Sequence, residues 1–76
     1  MGYLVIVSGE VLSARDGSLV VTGQVAMQVP YVEIKTINDA LFESFGLRED
    51  IAKSLVLSIE KGECHLKYSA ISITKL

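Results

Sequence analysis

The first 32 residues of this 76-residue chain carry only three charges, Glu10, Arg15 and Asp16, whereas the other 44 carry thirteen of the sixteen. Within that uncharged third lie two runs rich in β-branched and aliphatic residues, Tyr3 to Leu12 and Leu19 to Val29, a composition that favours strands. Asp16-Gly17 lies between them and favours a tight hairpin turn, because glycine enters the left-handed region without steric cost. The chain must therefore cover a β-hairpin that has almost no charge on either face.

The register of that hairpin is open at this level. A two-residue loop at Asp16-Gly17 pairs Leu12 with Val21, Ser8 with Val25, Ile6 with Met27 and Leu4 with Val29, which makes the Leu4/Ile6/Leu12 face the core face. A three-residue loop instead sets Val5, Val7 and Val11 opposite Val29, Met27 and Gly23. Pro30 has no amide hydrogen to donate, so it marks an end, an edge or a bend of the second strand.

Further along, Tyr31 to Lys35 alternates as a short strand or extended connector. Thr36 fits a helix N-cap, with Asp39 three residues on. Ile37, Ala40, Leu41 and Phe45 form one apolar stripe of a helix that Gly46 ends. From Leu47 to Glu60 two periods compete: Leu47, Ile51, Leu55 and Ile59 keep helical spacing, while Ser54 to Glu60 also alternates. This stretch is expected to divide, with a helical turn at 48–53 and a strand opening at Leu55, Leu57 and Ile59. Lys61-Gly62 is then a turn, and Cys64 to Thr74 completes a second hairpin. The phase of its alternation changes between Ala70 and Ile71, the expected place for a β-bulge. The expected fold is one α+β domain over 1–76, a ββαββ layout of two mostly antiparallel hairpins with one helix packed on the sheet.

A chain this small has little margin alone. Apolar burial worth about 110 kcal/mol meets an ordering cost of about 110 kcal/mol. Cys64 is the only cysteine, so no internal disulfide forms, and with one histidine the chain lacks the ligands of a structural zinc site. Self-association is the remaining support. A homo-oligomer, with a dimer favoured, is expected to use the uncharged hairpin, with Tyr3, Val5, Val7 and Val11 as interface candidates.

The chemistry-bearing residues point away from catalysis. Cys64 and His65 are neighbours on a strand and face opposite ways, so they cannot act as a dyad, and Cys64 reads as a small buried hydrophobe. No nucleophile elbow, dinucleotide fingerprint or phosphate loop is present. Glu49-Asp50 and Glu60/Glu63 read as solvated or capping carboxylates. For nucleic acid, the weak candidates are Arg48, Lys61, His65, Lys67 and Tyr68, with Lys53 nearby. A net charge of -2 and pI ≈ 5.2 disfavour such a partner, and alternation sets Tyr68 opposite His65 and Lys67.

No apolar run is long enough to cross a bilayer, and Met1 to Val7 lacks the basic start of a signal peptide. The expectation is a cytoplasmic, non-catalytic module with no metal and no cofactor, which self-associates and meets a possible protein partner. A ligand-binding or nucleic-acid-binding accessory protein using the sheet surface or the subunit boundary is the alternative, and an enzyme assembled between subunits is a third.

Overall fold

A computed structural model describes residues 2–76. The elements run β1 (Tyr3–Ser13), β2 (Leu19–Val29), α1 (Ile34–Ser44), α2 (Glu49–Glu60) and β3 (Cys64–Lys75). The three strands form one antiparallel sheet in the order β2-β1-β3. The class is α+β as expected. The layout is not ββαββ, because it has three strands and two helices.

The first hairpin forms over the expected runs, but neither loop length holds. The Ser13 amide donates to the Ser18 carbonyl at 2.8 Å and the Gly17 amide to the Ser13 carbonyl at 2.9 Å, which closes a four-residue loop, Ala14 to Gly17. Gly17 sits at φ 73°, and the Ser18 amide donates to Asp16 Oδ1 at 3.0 Å. The pairing then shifts between Val11↔Val21 and Leu12↔Leu19, which leaves Val20 as an extra residue in β2. The long loop and the extra residue together set Val5 opposite Met27, Val7 opposite Val25 and Val11 opposite Val21.

The core face is thereby the odd-numbered one, which corrects the Leu4/Ile6/Leu12 assignment. Val5, Val7 and Val11 are fully buried under the helices, while Leu4, Ile6 and Leu12 are half-buried on the other face. Glycine explains the choice. Gly9 faces Gly23 across the ladder on the odd face, and together they make a shallow seat for α1. A Cβ on Gly9 would stand 2.5 Å from Leu41 Cδ2, and one on Gly23 would meet Ser44 Oγ and stand 2.8 Å from Phe45 Cδ1. On the even face Glu10 pairs with Thr22 and Ser8 with Gln24, so that face is more polar.

The stripe of α1 is as read: Ile37, Leu41 and Phe45 are buried. The helix begins earlier, at Ile34, with Glu33 as N-cap and no side-chain cap. Thr36 therefore lies inside the first turn and is not the cap. Tyr31 to Glu33 form a connector, and Ile34 and Lys35 already belong to the helix.

The largest departure is α2. Residues 49–60 are helical throughout, so the expected strand at Leu55, Leu57 and Ile59 does not exist. Ala52, Lys53, Leu55 and Leu57 favour helix, Glu49 and Asp50 in the first turn complement its dipole, and the end is closed by a Schellman motif. There the Glu63 amide donates to the Ser58 carbonyl at 2.9 Å, the Gly62 amide to the Ile59 carbonyl at 3.1 Å, and Gly62 takes φ 79°. Lys61-Gly62 is thus a helix stop and not a hairpin turn.

With no strand before it, β3 pairs with β1. Its change of phase is real: Ser8 pairs with Ala70 and Gly9 with Tyr68, which leaves Ser69 as the bulge, one residue from the expected place. Two clusters make the core, one of Val11, Leu41, Phe45 and Leu55, the other of Val5, Val7 and Ile37, and Tyr68 packs against both. Burial pushes the Tyr68 hydroxyl pKa up from its ordinary 10.0.

Candidate functional site

Sequence-derived candidates do not converge. Arg48 is the N-cap of α2, with its guanidinium 3.4 Å from Asp50, and Lys61 is the C-cap at the other end of that helix. His65 and Lys67 are exposed on the outer face of β3, while Tyr68 faces the helices. Cys64 is half-buried against the core, with a free thiol. Among the described residues, no three His, Cys, Asp or Glu side chains are grouped where they could hold a metal ion. No described helix is long and apolar enough to cross a membrane.

The interface candidates are also placed by the fold. Val5, Val7 and Val11 are sealed inside the chain's own core, and Tyr3 is half-buried beside them. The helix-facing side of the hairpin thus needs no second copy to cover it, contrary to expectation. α1 does most of this, with Leu55 of α2 joining Val11 in the core.

Among the described residues Ile71 and Ile73, beside Val7 and Val5 on the helix-facing side, are 52% and 49% exposed, and three larger surfaces are open as well. The first is the outer face of the sheet, where half-buried Leu4, Ile6 and Leu12 lie among exposed Thr22, Gln24, Ala26, Gln28, Ala70, Ser72 and Thr74. Its charged pair, Glu10 opposite Lys67 in the ladder, lies at one end, next to His65 opposite Leu12.

Second come the sheet edges. β2 and β3 each pair with β1 on one side and with no strand among the described residues on the other. They differ in chemistry. β3 carries Lys67, Lys75 and the Ser69 bulge, the features that discourage further pairing. By contrast β2 spans eleven residues, LVVTGQVAMQV, without a charge or a proline, and its one irregularity is at Val20, near the turn. Leu19 and Val20 are at least half exposed.

The third is a groove of about 740 Å³ between α1 and α2. α1 packs on β2 and β1 and α2 on β3, and the space between the helices is left unfilled. Phe42, Ala52, Val56, Ile59 and Leu66 line it, and the Phe42 ring meets that of Phe45 edge-on, with centroids 5.3 Å apart. Leu57, 53% exposed, also lines the groove, and Ile51, 43% exposed, adds apolar surface on α2 outside it. A surface helix normally shows one apolar stripe; on α2 that stripe holds Ile51, Ala52, Leu55, Val56 and Ile59, and Leu57 adds one exposed apolar side chain on the polar side.

The rim is acidic. Asp39, Glu49 and Glu60 stand on it with Lys53, and the Lys53 ammonium is held 3.2 Å from Glu49. Asp39 and Glu60 have no ionic partner among the described residues. Asn38, on the α1 wall, has its Oδ1 buried without a hydrogen-bond donor. Sequence reasoning missed this groove because it requires α2 to be a helix. The signal was present in the spacing of Ala52, Val56 and Ile59, which a helix brings to one side.

Comparison with known protein families, with curated proteins and with solved structures gave no match.

Proposed function

We propose that this chain is a non-catalytic interaction module that dimerises by setting β2 against β2 of a second copy, so that two three-stranded sheets become one sheet of six. The observation that carries this reading is the uncharged, proline-free edge of β2. An exposed edge strand offers a row of free amides and carbonyls to any strand that can lie beside it. Eleven residues extend about 37 Å at ~3.4 Å each, enough for a long antiparallel ladder. Self-pairing also gives a closed two-fold contact in which each copy presents the same strand.

The other edge supports the choice by contrast. Lysines and a bulge protect β3, while β2 lacks both protections over most of its length. The non-catalytic part rests on the scatter of Cys64, His65 and the carboxylates, none of which meet in a shared cleft of nucleophile and base.

Light scattering coupled to size exclusion tests the reading at micromolar concentration. The expected mass is twice the 8.2 kDa of the chain. A Gln24→Lys/Ala26→Lys variant is expected to run as a monomer with unchanged circular dichroism, because both positions are exposed on the even face of β2 and like charges then meet across the two-fold. A monomeric parent, or a dimer that survives both lysines, refutes edge pairing.

A further inference from the structure

We infer that the groove between α1 and α2 is a docking site for a basic amphipathic helix of a partner protein, separate from the β2 edge. Its lining supplies the apolar half of the argument. Phe42 and Leu66 form the deeper part, with Ala52 and Val56 on the α2 wall, so a row of leucine-sized side chains entering between the helices replaces water on both sides. The groove is open along its length rather than closed over, which suits a helix laid into it better than a small molecule, whose sites enclose most of the ligand.

Charge selects the occupant. Of the rim groups, Lys53 is already engaged by Glu49, so the free charges facing an incoming partner are the carboxylates of Asp39 on α1 and Glu60 on α2. One stands on each helix. A helix with lysines or arginines flanking its apolar stripe places cations beside both, whereas an acidic helix meets repulsion from both.

Position keeps the two surfaces apart. Because α1 covers β2 and β1 while α2 covers β3, the groove lies on the inner side of α1, away from the free edge of β2. A dimer joined along β2 therefore leaves one groove open on each copy.

The test uses the whole chain and a designed amphipathic helical peptide of leucine and lysine, with apolar residues at i, i+3, i+4 and i+7, against a counterpart in which every lysine is glutamate. Fluorescence anisotropy of the labelled peptides is expected to show saturable binding of the lysine peptide, one per chain, and none of the glutamate peptide. Asp39→Asn and Glu60→Gln are each expected to weaken binding roughly two- to five-fold, the range of an exposed ion pair. Val56→Glu, at a position 39% exposed and so tolerant of a polar side chain, is expected to weaken it at least about tenfold, with circular dichroism confirming that the chain stays folded.

Four results each overturn the inference. They are no binding of the lysine peptide, equal binding of both peptides, binding of dodecylammonium in the groove without the peptide, and a loss of dimer mass on Val56→Glu, which would make the groove the self-association face.

Discussion

Gly9→Ala isolates the contact that seats α1 on the sheet. The added methyl carbon would stand 2.5 Å from Leu41 Cδ2 and 3.3 Å from the Lys67 carbonyl oxygen. Ordinary contact is about 1 Å or more longer than the first of these, and Leu41 is fully buried, so it has no space to turn into. Either Leu41 leaves its rotamer or α1 lifts, and lifting loosens Ile37 and Phe45 as well. Overpacking of this kind costs roughly 1–3 kcal/mol. Loss of glycine's freedom in the unfolded chain returns about 0.4–1 kcal/mol, for a net loss of about 1–2 kcal/mol. In a domain of this size each kcal/mol lowers Tm by roughly 4–8 °C, so thermal unfolding followed by circular dichroism is expected to shift down by about 5–15 °C. Leu41→Val removes the offending δ carbons, and in that background Gly9→Ala is expected to be neutral within about 0.5 kcal/mol, giving a coupling of about 1–2 kcal/mol. An equal cost in both backgrounds, or a Gly9→Ala chain more stable than the parent, would show that the glycine pair is not the seat.

Gly62→Ala meets no atom within 4 Å but must hold φ 79° at the end of α2, so a loss of about 1 kcal/mol is expected in urea unfolding. Asn38→Leu removes the buried acceptor that has no donor and is expected to raise stability by about 1 kcal/mol; unchanged or lower stability contradicts the assignment. The Ser18 amide, as the first cause, holds the Asp16 carboxyl below its ordinary 3.8. A depressed folded-state pKa gives stability that is present above 3.8 and lost as pH falls through the folded value. The urea midpoints of the parent and of Asp16→Ala are therefore expected to differ at neutral pH and to converge in acid, with no convergence as the contrary result.

Local periodicity carried much of this architecture. The β-branched and aliphatic runs of Tyr3 to Leu12 and Leu19 to Val29, the Ile37/Leu41/Phe45 stripe and the stop at Gly46 all report interactions among near neighbours, and these elements are found where expected. Ser54 to Glu60 is different, since SLVLSIE satisfies both periods and only the closing hydrogen bonds around Gly62 decide between them. The partner of β3 was equally hidden. Alternation tells a strand which face is apolar, not which strand it joins, and β1 competes for that place with any other strand in reach. Hairpin register failed for a geometric reason: a four-residue loop and the extra Val20 each move the pairing, and neither leaves a mark in hydrophobic pattern. For the surfaces, the absence of charge in β2 could be read directly, whereas its standing as a free edge could not. The groove needed two helices where one had been foreseen.

Placing β1 in the middle of the sheet has a kinetic consequence. Every pair between β1 and β3 joins residues 51 to 72 positions apart, from Ser13↔Cys64 to Tyr3↔Lys75, so one whole side of the first strand waits for a part of the chain made much later. Long closures of this kind slow the search for the native state. While a ribosome is still delivering α1 and α2, the nascent hairpin has two vacant flanks instead of one, and its greatest exposure to misassembly falls in that interval.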